Sequence, residues 1–341
     1  MTADPPRVDS VRLQDLAYAH RRSAVLLAAL ELGLFTRISR GAQSLAEIAS
    51  ALGISETNAD RLLTACAALG LVVREGDRFR NAADAERFLV EGSGSDASPW
   101  LVTIGKERRR WLGLADALRR SDPPRVLGMY EDFDVEQARA LHRATYSIGM
   151  GAGRRFVRQV DLSGRRLILD LGGGSGCYSI QAARAHPQIH AIVFDLPPVA
   201  VVAEEFIERH ALSDRIRAVG GDFTRDPLPE GADIAIMASN LPQYGRELIR
   251  KVVARVHDAL VPGGELHLIG EMLRPEKDGP PGPALWGLAE ALDHSTGVAH
   301  SEREVVEYLE SAGFRDVTVA EFVPGSLTRV TGSKAGSGRS S

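Results

Sequence analysis

The chain has 341 residues, 44% of them apolar and 25% charged, with a formal net charge of -4. These values suit a globular protein of two domains and disfavour a disordered chain or a nucleic-acid partner. Cys66 and Cys177 sit in no metal-like spacing, no run approaches the roughly 18 apolar residues of a membrane span, and MTADPPRVDS has no signal-peptide core, so a cytoplasmic protein without metal or membrane partner is expected.

The first segment, residues 1–95, is helical in rhythm. LQDLAYAHRRSAVLLAALELGLF repeats apolar residues every three or four positions and stops at Gly33. Ser44 and Glu47 form a capping-box pattern, Gly53 closes a short helix, and a second helix runs from Ser55 to about Leu69. LVVREGDRFRN then predicts a hairpin turning at Glu75-Gly76-Asp77. Helix, turn, helix and hairpin describe a winged helix. Its second helix carries Arg61 against Glu56 and Asp60, too little positive charge for reading DNA, so an architectural module is the better expectation.

EGSGSDAS, residues 91–98, is a boundary loop by composition. Residues 96–160 are predicted as a helical linker rich in aromatic and basic side chains, among them Tyr130, Phe133, His142, Arg143 and Tyr146. From 161 to 333 the rhythm becomes strand–helix alternation: RRLILDLGGG, HAIVFDLP, IRAVGGDF, ADIAIMASN and GGELHLIGEML suit buried parallel strands. DVTVAEFVPG and LTRVTGSK suit an antiparallel hairpin at the sheet edge, and 334–341 a disordered tail. The second half is thus a doubly wound α/β domain.

LILDLGGGSGCYSI is the strongest local signal. A strand ends at Asp170, and Gly172, Gly173, Gly174 and Gly176 let the backbone turn tightly under a ligand. No Gly-Lys-Ser/Thr comes after it, which excludes a Walker loop, and an acid ahead of the glycines suits a ligand with a positive amino group better than a pyrophosphate. Asp195 ends the next strand, where a carboxylate can take both hydroxyls of a ribose. Asp222 ends another, with Phe223 beside it, and suits an adenine. Three acids at successive strand ends describe a pocket for S-adenosylmethionine.

With these motifs, and with LVPGGELHLIGE and YLESAGF downstream, the chain resembles the plant-type O-methyltransferase family over nearly its whole length. The resemblance implies a Rossmann-like class I methyltransferase domain behind an N-terminal winged-helix dimerisation domain, a homodimer, and a small-molecule acceptor. It places Asp170 to Gly176 on the methionine end of S-adenosylmethionine, Asp195 with Leu196 at the ribose, Asp222 with Phe223 at the adenine, and Ser239 near the cofactor.

One stretch departs from the family. Where its members commonly carry a histidine base after the fourth strand, this chain reads SNLPQYG, with Gln243 at or near that position and Tyr244 next. Three explanations compete: a displaced base such as His142, His294 or Glu271 serving O-methylation of an aromatic natural product, a catalytically silent cofactor-binding homologue or winged-helix regulator, or, as the favoured expectation, an acceptor with no proton to lose. A thioether is such an acceptor. SNLPQY, with ALWGLAEALDHSTGVAH downstream, is also similar to the bacterial methylthiohydroxybutyrate S-methyltransferases of dimethylsulfoniopropionate synthesis, which implies S-methylation of 4-methylthio-2-hydroxybutyrate. Arg139, Arg143, Arg154 and Arg155 could then meet its carboxylate, and Tyr130, Phe133, Tyr146 and Trp286 the sulfonium. His294 is the better pocket candidate of the two late histidines, and His300 the structural one.

Overall fold

A computed structural model describes residues 8–336. Contacts divide the chain between Glu107 and Arg108, inside a helix, so residues 96–107 group with the N-terminal unit and not, as a single linker, with residues 108–160.

The N-terminal unit begins with α1 (Val11–Glu31), α2 (Leu34–Ser39), α3 (Leu45–Leu52) and α4 (Glu56–Ala68). Gly33 takes the left-handed conformation that lets α2 start directly after α1, and Ser44 and Glu47 close the expected capping box on α3. The hairpin of β1 (Val72–Glu75) and β2 (Arg78–Asn81) turns at Gly76, and α5 (Ala83–Phe88) and the start of α6 (Ser98–Trp111) complete the unit. Phe35, Ile48, Leu63, Val72 and Phe79 form its buried core. The amide of Asn81 bonds the Phe35 carbonyl and Glu86, tying the hairpin to the helices on either side.

The C-terminal unit contains α7 (Leu114–Leu118), α8 (Val135–Gln159), β3 (Leu167–Leu171), α9 (Cys177–Ala185), β4 (His190–Asp195), α10 (Pro197–Arg209), β5 (Ile216–Gly220), β6 (Ala232–Ala238), α11 (Arg246–Ala259), β7 (Leu260–Gly270), α12 (Pro281–Ala289), α13 (Glu302–Ser311), β8 (Arg315–Val323) and β9 (Leu327–Ser333). Its sheet has the order β5-β4-β3-β6-β7-β9-β8. The first five of these strands run parallel, and β9 and β8 join antiparallel as the expected edge hairpin.

Both faces of the sheet are covered, which explains why its strands read as unbroken apolar runs. Ile168, Val193 and Ile236 belong to the core shared with α8, α9 and α10, whereas Leu169, Ile192 and Ala235 belong to the core shared with α11 and α13. That is the two-residue alternation of a strand. The chain reverses its direction across the sheet at β3, so the crevice opens where the loops after β3 and β6 diverge. No helix among the described residues is long and apolar enough to cross a membrane.

The expected disordered tail needs correction at its start. Lys334 donates from Nζ to the carbonyls of His257, Asp258 and Leu260, and its amide bonds Gly264. Those carbonyls surround the end of α11, where a cation is favourable. Residues 337–341 lie outside the described residues.

Candidate active site

The glycine turn lies directly after β3. Gly172, Gly174 and Gly176 have φ of +62°, +57° and +70°, a conformation that strains any residue with a Cβ. The turn is also crowded from below and above. A Cβ on Gly173 would lie 2.6 Å from the Asp170 carboxyl carbon, one on Gly174 2.5 Å from His142 Cε1, and one on Gly172 against the Asn240 amide. The glycines are needed for space as much as for torsion.

Asp170 is fully buried at the end of β3. Its Oδ2 accepts from Ser179 Oγ at 2.7 Å, while Oδ1 has no partner among the described residues. Burial pushes its carboxyl up to about 6. A buried carboxylate oxygen without a donor is costly, and a cationic ligand at the turn would supply one. Asp195, one strand over, uses both oxygens to fix local backbone. Oδ2 accepts from the Gly174 amide at 2.8 Å and Oδ1 from the Leu196 amide at 2.7 Å, and burial pushes this carboxyl up to about 6 as well.

Asp222 is buried beyond β5, and its bonds are local: Oδ1 accepts from the Thr224 amide and hydroxyl, and Oδ2 pairs with Arg225 at 3.1 Å. Phe223 is buried, with its ring edge-on to Tyr244 at 5.3 Å. Ser239 is exposed at the end of β6 with φ of +56°, and the next residue, Asn240, donates to the Leu171 carbonyl at 3.1 Å. The fold therefore brings Asp170, Asp195, Asp222 and Ser239 to one edge of the sheet, through the C-terminal ends of four neighbouring strands.

After β6 the chain makes one 3₁₀ turn, Leu241–Gln243. Gln243 Nε2 donates to Tyr130 Oη at 3.1 Å, so this side chain is a hydrogen-bonder and not a base. Tyr244 is buried, and burial raises its hydroxyl well above its ordinary range. Its carbonyl is held by His300, which is itself fully buried. Behind the turn stands a residue that the sequence did not single out, Glu290. A Cβ on Gly297 would touch both the Pro242 carbonyl and Glu290 Cγ, which places this carboxyl against the turn. Ser295 Oγ and Trp286 bond it, and burial pushes it up to about 7. Glu271, the first residue after β7, reaches about 7 for the same reason, and its Oε2 is buried without a partner among the described residues.

The other acceptor-pocket candidates are spread more widely. Phe133 meets Tyr130 edge-on at 5.2 Å, which keeps that pair near Gln243. Tyr146 stacks on Phe206 at 4.6 Å and bonds His210 through its hydroxyl, and so is engaged on α10. His294 pairs with Asp122 at 2.9 Å. Arg143 and Arg154 are exposed, Arg139 is bound to Glu205 and Glu136, and Arg155 donates to the Phe322 carbonyl. Arg139 and Arg155 are thus taken up by protein partners, which corrects the expectation for those two, whereas the charge of exposed Arg154 acts on the thiol of Cys177 beside the glycine turn.

His142 lies over Gly174 and makes no hydrogen bond among the described residues, and burial lowers its pKa to about 4.

Known proteins share this architecture. Residues 111–315 match the O-methyltransferase domain and residues 14–91 the O-methyltransferase dimerisation domain. The chain is 33% identical over 331 residues, 95% of each chain, to 3-hydroxy-5-methyl-1-naphthoate 3-O-methyltransferase of Streptomyces sahachiroi. It is 32% identical to the N,N-dimethyltransferase OxyT of Streptomyces rimosus, over 92% of this chain and 94% of that one. Among solved structures, human N-acetylserotonin methyltransferase in complex with SAM superposes with a TM-score of 0.79 at 26% identity, covering 98% of this chain and all of that one.

Proposed function

The chain belongs to the O-methyltransferase family, and on that premise we propose that it transfers a methyl group from S-adenosylmethionine to a hydroxyl of a small natural-product molecule, as a homodimer formed through its N-terminal unit. The observation that carries the acceptor class is the full-length relation to an enzyme that methylates a naphthoate hydroxyl. Bound S-adenosylmethionine supplies a methyl group on a sulfonium sulfur, open to in-line attack.

The chain's own residues do the rest. The glycine turn lets Asn240, Asp170 and His142 close in on the backbone where a Cβ would collide with them, and so gathers these side chains at the cofactor cradle. Asp170 offers its unpartnered Oδ1 to the ammonium of the methionine end. Asp195 is braced by the Gly174 and Leu196 amides, so its remaining lone pairs are oriented for the ribose hydroxyls, while Asp222 and Phe223 flank the adenine.

A hydroxyl acceptor must also give up a proton, and the Leu241–Gln243 turn has no group to take it. His294 meets Asp122 through Nε2, a contact that leaves its other nitrogen to chemistry, while His142 near 4 is too weakly basic alone. Two carboxyls near 7 fall in the useful range for a general base at neutral pH. Glu290 already receives Ser295 and Trp286, whereas Glu271 stands at the exit of β7, beside β6, with a free oxygen. We assign proton removal to Glu271.

A second reading is transfer to a thioether such as that of 4-methylthio-2-hydroxybutyrate. The baseless turn favours it, since sulfur loses no proton. The engagement of Arg139 and Arg155 and the relatives' acceptors weigh against it. Incubation with methyl-labelled S-adenosylmethionine and a panel of phenols, amines and thioethers tests both readings. Label on oxygen is expected; label on sulfur alone would replace the first reading with the second.

A further inference from the structure

We propose that His142 is a cofactor ligand that donates a hydrogen bond to the carboxylate at the methionine end of S-adenosylmethionine; this rests on the reading of the glycine turn as the cofactor cradle. His142 comes from α8, ahead of the sheet in sequence, yet its ring lies directly on the turn after β3. An ideal Cβ on Gly174 would fall 2.5 Å from Cε1 and 2.8 Å from Nδ1. The same Gly174 donates its amide to Asp195, so one residue separates the imidazole on one side from the ribose-facing acid on the other.

Charge makes the case for the partner. The acidic groups at this turn are Asp170 below Gly173, Asp195 beyond Gly174 and the thiol of Cys177 at the start of α9, and among the described residues the one cation acting on that thiol is the exposed Arg154. The methionine end of the cofactor brings an ammonium and a carboxylate. The acids can serve the ammonium, but a further carboxylate among them needs a donor. Arg139 is bound to Glu205 and Glu136, and Arg143 and Arg154 are exposed. His142 is the basic side chain that lies on the turn, and it makes no hydrogen bond of its own among the described residues. Burial without a partner holds it neutral, near 4, so it waits as a donor whose nitrogen no protein group occupies. An anion beside the ring offsets that desolvation and raises its proton affinity, which strengthens the bond further.

Calorimetry on the full-length protein separates this role from a structural one, because decarboxylated S-adenosylmethionine keeps the ammonium, sulfonium and nucleoside and lacks only the carboxylate. The wild type is expected to bind S-adenosylmethionine more tightly than the decarboxylated form. His142→Ala is expected to weaken S-adenosylmethionine by about 10- to 100-fold, the scale of one hydrogen bond to a charged group, and to leave the decarboxylated form unchanged. His142→Phe keeps a flat ring on Gly174 without a donor and is expected to show the same selective loss, which guards against a collapsed turn in the alanine variant. Equal weakening of both ligands, or no change in either, overturns the assignment. If the wild type binds neither ligand, the cofactor reading of the turn falls, and this inference falls with it.

Discussion

The Gly174 amide donates to Asp195 Oδ2 at 2.8 Å, joining the turn after β3 to the end of β4. With the Leu196 amide on the other oxygen, the bond sets the direction of the carboxylate, and Gly174 makes it with a φ of +57°. Asp195→Ala removes both the cofactor-facing oxygens and the brace on the turn. It is expected to weaken S-adenosylhomocysteine by about 100-fold or more, on the scale of two charge-assisted hydrogen bonds. Gly174→Ala is expected to abolish measurable binding, since the new methyl group meets the His142 ring and adds left-handed strain of about 1–2 kcal/mol. Calorimetry on both variants checks the pair, and a Gly174→Ala protein with wild-type affinity would remove the steric argument.

Asp170 ties the site to stability. The unfolded chain releases its proton near 3.8, whereas the folded protein holds it to about 6. The folded state therefore favours the protonated acid. Its contribution is full below the unfolded value and is lost as pH rises through about 6. Asp170→Asn keeps an acceptor for Ser179 without the charge. At pH 8 the cofactor-free variant is expected to be more stable than the wild type by on the order of 2–3 kcal/mol, with little difference near pH 4. It should also lose cofactor affinity. Urea unfolding at both pH values measures the gap, and a gap that does not widen with pH would contradict the cost assigned to this carboxylate.

Proton removal by Glu271 has a signature in the rate. The carboxyl accepts a proton only when ionised, so kcat/KM with a hydroxyl acceptor is expected to rise with pH through about 7 and then level. Glu271→Gln is expected to lower it by roughly 10²–10⁴-fold and to flatten the rise. Glu290→Gln is expected to leave the rise in place. The reverse pattern would move the base to Glu290, and a flat wild-type profile would favour a thioether acceptor.

Much of the fold was legible in the sequence because it is local. The strands are apolar runs bounded by Gly, Asp and Pro, the capping boxes are fixed spacings, and a glycine-rich turn after a strand has few alternatives. The acids at the strand ends came from the same local reading plus the rule that such sheets bind ligands at one edge. What could not be read depends on partners far along the chain. Arg139 meets Glu205, Lys334 meets the end of α11, and Tyr130 meets Gln243, and no spacing announces any of these. Glu290 escaped notice because it sits in an unremarkable helical run, and only the packing of Gly297 brings it behind the turn. His142 stood out by residue type, but its position over Gly174 required the fold.

His300 shows how a suspicious histidine can be wholly structural. Its ring is fully buried between Tyr308 Oη at 3.0 Å and the Tyr244 carbonyl at 2.9 Å. A carbonyl only accepts, so Nε2 carries the proton and Nδ1 accepts from the Tyr308 hydroxyl. With both nitrogens engaged and burial lowering its pKa, it has no proton to exchange with a substrate. Because the folded value is lowered, its contribution is present above the ordinary histidine range and fades as pH falls through that range and below. His300→Ala would leave a buried carbonyl and a buried hydroxyl unpaired, and it is expected to cost about 2–4 kcal/mol of stability. The turn that carries Gln243 would then lose its anchor. Acceptor KM is expected to rise while cofactor affinity stays near the wild-type value, because the glycine turn hangs from β3 and β4. Urea unfolding together with calorimetry separates the two effects, and a stable His300→Ala protein with a lost pH–rate limb would assign this histidine to the chemistry.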